Sequence, residues 1–427
     1  MTLRARRHVL ESGLTVISVD VPHLHSAMVA VYVRSGSRHE TKANNGASHF
    51  LEHLFFRGSH QYPDTVAMNA AVEGVGGNLN GITTRDCTYF FTPCAPEGVG
   101  LCLDILGDML TRPSLSKIEI ERRIILEEML DEVDSEGRDV DIENLSKRLI
   151  FDKHPLALKI AGTRESVTCL TRAQLVAHYR RAYVAGNMVV GVAGPIDSST
   201  VARRVARAFS RVPRGPRLVE EAPSLAWNGL KYKGVPESEP QVEFRLSFPT
   251  VSELHPDAMG VQLLRRVLDD GLSSRLPYNV VERRGLAYSV GANVETFHDA
   301  GLFEIDGACA PQNAAPMLRE VLKTLGSLSR GLIEASELTR AKARHRIHLG
   351  FLQDSPADLL GWFGGNELFR TVPSFDHRSR EAARVTRRAL VALAQRTFRK
   401  SNVALTAVGP QRALRALKQV MEQGVGL

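Results

Sequence analysis

The spacing of apolar residues in the first half of the chain alternates between strand-like and helix-like patterns. A continuous apolar run at residues 27–33 predicts a strand that is buried on both faces. Two shorter apolar segments flank the turn Glu11-Ser12-Gly13 and predict a β-hairpin. After the turn-forming Asn44-Asn45-Gly46, apolar residues return at helical spacing over 47–56. The same reasoning predicts further helices at 66–72, 98–110, 117–134, 171–182 and 198–209, and strands at 84–92 and 188–193.

The second half repeats this order of elements. A charged segment with two prolines and a glycine, residues 211–217, separates the halves and is the candidate linker. Beyond it the pattern predicts strands at 241–248, 288–296, 301–307 and 403–408, and helices at 257–268, 311–328, 335–349 and 387–398. We therefore expect an α+β protein of two related α/β domains, 1–217 and 218–427, each a mixed sheet packed by helices.

Composition agrees with a soluble protein that builds a core in each half. The chain has 427 residues, of which 43% are apolar and 24% charged. The net charge is +7, but the arginines are spread along the chain without a basic run, so we expect no nucleic-acid partner. No apolar run is long enough to span a membrane, and residues 1–10 lack the apolar stretch of a signal peptide. The five widely spaced cysteines form no Cys-x-x-Cys pair and read as reduced thiols, so a cytoplasmic protein is predicted.

Candidate chemistry lies in the predicted helix at 47–56, which contains His49-Phe50-Leu51-Glu52-His53. Histidines four residues apart share one helix face, so both imidazoles can bind one zinc ion at about 2.0–2.1 Å. Glu52 reaches the rim of that face without being a ligand, and its carboxylate can activate metal-bound water. The order His-x-x-Glu-His is the inverted zinc-peptidase signature. The ordinary alternative is a helix whose histidines are merely polar surface or core residues.

A catalytic zinc ion needs a third protein ligand, and the acidic helix over 119–130 is the best source. Glu121 and Glu128 are seven residues apart and share a face, while Glu127 points about a third of a turn away. A solvated charged helix is the competing interpretation, so spacing alone leaves the third ligand open. The pairs His23/His25 and His345/His348 have no acidic or cysteine cluster nearby and are interpreted as structural.

These segments resemble the pitrilysin-like zinc peptidases, the family that includes mitochondrial processing peptidase. The likeness extends far beyond the histidine motif and covers nearly the whole chain. In the first half it includes residues 10–16, 36–40, 49–59, 121–129, 162–167 and 183–194, and in the second half 272–276 and 284–288. The resemblance implies a two-domain unit that forms half of a clamshell chamber.

The resemblance also assigns roles to single residues. His49, His53 and Glu128 would hold one Zn²⁺ per chain, with Glu121 supporting the site from behind, Glu52 as the catalytic carboxylate and Glu127 without a role. The segment 78–84 resembles the family's edge strand, which pairs with an extended peptide. Asn80 would then hold the peptide backbone, beside Gly81, where the family usually has alanine.

One departure concerns the grip on the substrate. Active members carry an arginine and a tyrosine seven residues apart in the second domain; here Tyr288 is present, but Val281 occupies the arginine position. Arg284 lies at the wrong spacing to replace it. The resemblance therefore implies a homodimer, or a heterodimer with a related subunit that supplies the arginine–tyrosine pair.

Taken together, the sequence predicts a zinc-dependent endopeptidase that hydrolyses peptides or unfolded segments. The alternative is a non-catalytic peptide-binding or scaffold subunit of the same family, although such members generally lose part of the zinc motif. Leader-peptide removal, maturation of a modified peptide and turnover of peptide fragments are all compatible with the sequence.

Overall fold

A computed structural model describes residues 5–238, 240–370 and 372–424 of the chain. The first four residues of the basic N-terminal segment lie outside the described residues. The chain packs as two compact units. The first unit contains the chain up to Leu130 together with Leu158–Glu221 and Gly350–Val372, and the second contains Asp131–Ala157, Ala222–Leu349 and the chain from Pro373 onwards.

Eleven strands are distributed over two mixed sheets within the described residues. In chain order they are β1 (Ala5–Val9), β2 (Thr15–Asp20), β3 (Ala27–Val33), β4 (Asn80–Thr83), β5 (Thr88–Cys94), β6 (Met188–Gly194), β7 (Gly229–Pro236), β8 (Val242–Thr250), β9 (Ser289–Thr296), β10 (Gly301–Cys309) and β11 (Asn402–Gly409).

The two sheets have the same topology apart from one added strand. The first unit has the order β1-β2-β6-β3-β5-β4, and the second has β7-β11-β8-β10-β9. In each sheet one pair is parallel, β2 with β6 and β7 with β11, and the remaining pairs are antiparallel. This repetition confirms the predicted fold class of two related α/β domains.

Helices cover these sheets. The α-helices are α1 (Ala47–Phe55), α2 (Thr65–Glu73), α3 (Val99–Thr111), α4 (Ile118–Glu128), α5 (Ile142–Phe151), α6 (Arg164–Cys169), α7 (Arg172–Ala182), α8 (Ser198–Ala208), α9 (Ala258–Leu268), α10 (Ala314–Ser329), α11 (Ala335–Phe351), α12 (Pro356–Leu360), α13 (Asn366–Phe369), α14 (Phe375–Arg384), α15 (Arg387–Thr397) and α16 (Gln411–Gln423). No helix among the described residues is long and apolar enough to cross a membrane.

Each unit takes a helical segment from the other half of the sequence. Helix α5 packs on β11, β7 and β8 of the second unit, whereas α12 and α13 pack on the sheet of the first. Gly191 in β6 makes room for this segment, because a Cβ there would lie 2.9 Å from Leu360 Cδ2. The compact units therefore differ from the two continuous halves expected from the sequence, and the division at residues 217/218 stays a prediction.

Several elements differ from the sequence-based expectation. The strand expected at 84–92 begins at Thr88, because the Thr84 amide donates to the Cys87 carbonyl (2.7 Å) and closes a turn. The residues before that turn form β4, a separate strand. Helix α4 ends at Glu128 and continues only as the 3₁₀ turn Met129–Glu132. The sequence pattern did not predict β7, α5, α6, α12, α13, α14 or α16.

Candidate metal centre

Helix α1 starts at a carboxylate that is buried inside the first unit. Gly46, with φ of 93°, precedes the helix. The Glu40 carboxylate accepts hydrogen bonds from the Gly46 amide (2.7 Å), the Ser48 amide (2.7 Å) and the Asn45 side chain (2.9 Å). It thereby satisfies amide groups that have no partner within the helix and lies at the positive end of the helix dipole. Burial raises the pKa of Glu40 to about 6, against the opposing effect of these hydrogen bonds.

One face of α1 packs into the core, which fixes the direction of the other. Phe50, Leu51, Leu54 and Phe55 are fully buried in the core of the first unit. His49 and His53 are only partly buried, and their ring centroids lie 4.6 Å apart. The spacing of four residues thus presents both imidazoles on one side of the helix, as predicted.

Glu128, the last residue of α4, meets both histidines. Its Oε2 lies 3.6 Å from His53 Nε2 and 4.0 Å from His49 Nε2. The three potential ligand atoms lie within 4.8 Å of one another. Ligands of a tetrahedral zinc ion are separated by about 3.3 Å when the metal bonds are about 2.0–2.1 Å long, so the three side chains would move closer together to hold the ion. Two imidazoles and one carboxylate are a donor set that fits Zn²⁺ and leaves a fourth position open. Glu127 is exposed and is not part of this group.

Glu121 lies behind His53 on the same helix as Glu128. It is 1% exposed, and its Oε2 lies 3.1 Å from His53 Nδ1. Its other oxygen forms an ion pair with Arg57. A carboxylate at this position accepts a hydrogen bond from Nδ1–H, so it favours the tautomer in which Nε2 carries the free lone pair and faces Glu128.

His49 is held in the form that metal binding requires. Burial, followed by the neighbouring His53, lowers the pKa of His49 to about 3, so its imidazole is neutral over the physiological range. Neutral imidazole is the ligand form of histidine. Its Nδ1 is buried and has no hydrogen-bond partner among the described residues.

Glu52 projects beside the cluster and contacts β4. Its Oε2 accepts a hydrogen bond of 2.5 Å from the Thr83 hydroxyl. Burial raises the pKa of Glu52, although the Thr83 hydrogen bond and His53 oppose this effect. A Cβ on Gly81 would lie 2.9 Å from both Glu52 Cγ and Phe56 Cε2. Glycine at this position therefore allows β4 to lie directly against the carboxylate.

Comparisons with known proteins agree with this geometry. The family model described as "Insulinase (Peptidase family M16)" matches residues 15–164, and that of the "Peptidase M16 inactive domain" matches residues 170–344. An uncharacterized zinc protease of Mycobacterium tuberculosis is 31% identical over 99% of this chain and 97% of its own length. The chain belongs to peptidase family M16.

Other M16 relatives extend the comparison. An uncharacterized zinc protease of Bacillus subtilis is 27% identical over 85% of this chain and 88% of its own. The mitochondrial-processing peptidase subunit beta of Blastocladiella emersonii is 36% identical over 48% of this chain and 44% of its own. Among solved structures, a protease from Helicobacter pylori has a TM-score of 0.87 at 20% identity and covers 96% of this chain and 100% of that one. That structural likeness supports the M16 fold.

The residues expected to bind substrate lie in different parts of this M16 chain. Asn80 begins β4, and its side chain donates to the Asn78 carbonyl (3.1 Å). Strand β4 ends the sheet order of the first unit, so its outer edge pairs with no strand among the described residues. Tyr288 belongs to the second unit and is 98% exposed. Val281 packs against the core of that unit in the π-helical turn Pro277–Glu282. The roles given to Asn80, Gly81 and Tyr288 stay predictions.

Three residues around the M16 centre were not singled out from the sequence. Glu40 caps α1, Thr83 donates to Glu52, and Arg57 pairs with Glu121. Arg57 lies inside the segment 49–59, which carries the resemblance. A basic residue just after the helix with the two histidines is the sequence signal from which an ion pair near the site could have been predicted. No spacing rule connects Thr83 with Glu52, because the two are 31 residues apart.

Proposed function

We propose that this M16 chain is a zinc-dependent endopeptidase that hydrolyses peptides or unfolded segments. The observation that carries the proposal is the meeting of His49, His53 and Glu128 within 4.8 Å, with the buried Glu52 alongside. Two helices that are far apart in the sequence, α1 and α4, pack together and supply these groups. The relatives named zinc proteases support the same conclusion.

In this proposal each residue of the site has a separate role. His49, His53 and Glu128 hold one Zn²⁺ per chain, and Glu121 orients His53. When bound, zinc supplies Lewis-acid activation of the attacking water and of the scissile carbonyl. Glu52 takes the proton from that water and delivers it to the leaving amine. Its environment fits this use, because a raised pKa makes a carboxylate a better proton acceptor.

The substrate would bind as an additional strand. The outer edge of β4 offers backbone groups to an extended peptide, and such pairing tolerates varied side chains. Asn80 would hold the peptide backbone, and Gly81 lies next to Glu52, which brings this edge close to the proposed base. Extended segments of folded proteins are mostly paired already in their own sheets, so short peptides and unfolded chains are the expected substrates.

A second subunit would complete the substrate grip. Val281 stands where active relatives carry the arginine that accompanies Tyr288, so we propose a clamshell dimer, with an identical or a related partner supplying the pair. The similarity to a mitochondrial-processing peptidase subunit beta supports pairing. Native mass spectrometry measures the oligomeric state, and full activity from an isolated monomer would contradict this part of the proposal. We also propose a cytoplasmic location, which fractionation of the source cells tests.

The alternative is a non-catalytic peptide-binding subunit, favoured by Val281 alone. Glu52→Gln separates the two, because it removes the base and keeps the ligands. We expect normal zinc content by elemental analysis and a loss of kcat of about 10²–10⁴-fold on a fluorogenic peptide library. Glu73→Gln, an exposed glutamate in α2, is the matched control and should be fully active. If the zinc-loaded wild type cuts no peptide, either alone or with a co-expressed related subunit, the chain is a non-catalytic peptide-binding subunit.

A further inference from the structure

A cavity of about 120 Å³ in the first unit lies apart from the metal-binding residues and is lined by arginines. It is bounded by β1, by the starts of β2 and β6, by the linker and by the end of α13. Four arginines line it, and Glu367 is the single acidic residue among the described lining. The arginines are Arg7, Arg34, Arg217 and Arg370.

Two of these arginines already have carboxylate partners. Arg34 binds Glu220 through two guanidinium nitrogens, with Nε 2.7 Å from Oε1. Arg7 Nε donates to Glu367 Oε1 at 2.7 Å. Glu220 also contacts His39 Nε2 at 2.5 Å, so its charge is shared between two groups. Glu367, which lines the cavity, and Glu220, which lies beyond the lining, therefore already pair with Arg7, Arg34 and His39.

The other two arginines have no carboxylate of their own. Arg217 donates to the Leu368 carbonyl, a neutral acceptor. Arg370 is exposed and forms no ion pair within the described part of the chain. Burial, followed by the charges of Arg34 and Arg370, lowers the pKa of Arg217 to about 10. Crowded guanidinium groups repel one another, and an anion between them would relieve that repulsion.

We propose that this cavity is a binding site for a phosphate-type oxyanion, held chiefly by Arg217 and Arg370. Arg217 and Arg370 form no ion pair within the described part of the chain, and their two positive charges match a phosphate group, which carries about −1.5 to −2 at pH 7, better than a single carboxylate. Guanidinium groups bind such oxyanions through paired hydrogen bonds. At about 120 Å³ the cavity is large enough to admit a phosphate group.

Binding there would connect segments that are distant in sequence. Arg217 belongs to the linker, Arg370 follows α13, and Thr15 begins β2. The anion would tie the α12–α13 segment to the sheet on which it packs. This predicts slower hydrogen exchange at 366–370 and a higher Tm when phosphate is bound. Neither readout depends on peptidase activity or on the identity of the metal.

The test is isothermal titration calorimetry, which measures the Kd of the full chain for inorganic phosphate, methyl phosphate and acetate at matched ionic strength. We expect phosphate to bind and acetate not to bind; binding of methyl phosphate as well would identify a phosphate ester as an acceptable source. The double variant Arg217→Gln/Arg370→Gln should raise the phosphate Kd by about tenfold or more, since charge-assisted hydrogen bonds are lost. Because phosphate can also coordinate zinc, the titration is run with and without metal, and this site should be unaffected.

Arg172→Gln/Arg180→Gln is the matched control, because both arginines are exposed on α7 and the charge change is the same. It should bind phosphate as the wild type does. If the double cavity variant fails to fold, the single Arg370→Gln still tests the site, since that side chain is exposed. Equal phosphate affinity in the wild type and the cavity variants would overturn the proposal, as would equal binding of acetate.

Discussion

The side chain of Glu121 connects the metal-binding face of α1 with Arg57, just beyond the end of that helix. It lies 3.1 Å from His53 Nδ1 and is almost completely buried, whereas Glu128 is half exposed. The two glutamates share one helix face, yet their surroundings differ because only Glu121 faces the core. The spacing of the two glutamates in the sequence predicts that they share a helix face. Only their burial in the structure distinguishes the orienting carboxylate, Glu121, from the proposed ligand, Glu128.

Glu121→Gln is expected to weaken zinc binding by about 10–100-fold, because it removes the negative charge behind His53. The side chain keeps its size and an acceptor oxygen, so the fold should survive. Competition with a chromophoric chelator measures the affinity. Glu127→Gln, an exposed neighbour on α4, is the control and should bind zinc normally. Unchanged affinity in Glu121→Gln would remove its proposed orienting role.

Helix α1 shows how much of an element can be predicted from its sequence. Apolar spacing predicted residues 47–56, and the structure has Ala47–Phe55. The pattern gave no sign that Glu40 closes the N-terminus, because this carboxylate lies outside the helix and no capping rule covers that distance. Helices α12 and α13 were not predicted for a different reason, because the glycines between them interrupt the helical pattern of apolar residues.

Glu40 should make stability depend on pH in an unusual direction. Its pKa in the folded chain is about 6, above the ordinary value of 4.5, so the folded state binds its proton more tightly than the unfolded state does. The contribution to stability is therefore full below about pH 4.5 and is lost as pH rises through 6. One pKa unit corresponds to about 1.4 kcal/mol, which sets the loss at about 2 kcal/mol.

Urea unfolding of the metal-free chain at several pH values tests this expectation. The free energy of unfolding of the wild type minus that of Glu40→Gln should fall between pH 4.5 and 6, because the variant cannot titrate there. Other titrating groups are common to both proteins and cancel. A rising difference with Glu40→Gln would show that the pKa of Glu40 is lowered instead.

Helix α5 is attached to the sheet of the second unit by a buried charge pair. Lys147 Nζ lies 2.9 and 3.0 Å from the two oxygens of Glu304, and both side chains are 1% exposed. Burial alone would raise the pKa of Glu304, but Lys147 and Arg245 hold it below its ordinary value. Removing the lysine would leave a buried carboxylate without its closest cation.

Lys147→Met is therefore expected to destabilise the protein by about 3–5 kcal/mol. Lys147→Met/Glu304→Gln should cost less, since the fully buried carboxylate is neutralised together with its cation and only the partly exposed Glu295 loses its contact with Lys147. Urea unfolding measures both, with the exposed Lys153→Met as the control. If the double variant were less stable than the single one, the pair would not be the interaction that holds α5.

At the scale of the whole molecule, neither half of the sequence contains all the parts of its own unit. The first unit needs the segment Gly350–Val372, and the second needs Asp131–Ala157. The repeat between the halves could be predicted from the order of elements. The exchange could not, because periodicity shows which residues are buried but not which sheet buries them.

The exchange predicts the behaviour of the separated halves. A fragment of residues 1–217 would leave uncovered the part of β3 and β6 on which α12 packs, including Gly191 and its neighbours. A fragment of residues 218–427 would bury Glu304 without Lys147.

We expect each fragment alone to lack cooperative unfolding and the two co-expressed fragments to form a complex that binds zinc. Circular dichroism with thermal melting and size-exclusion chromatography measure this. The control is a chain cut within 222–228, which keeps every exchanged segment available and should behave like the co-expressed pair. If residues 1–217 alone folded cooperatively and bound zinc, the continuous halves predicted from the sequence would be the true folding units.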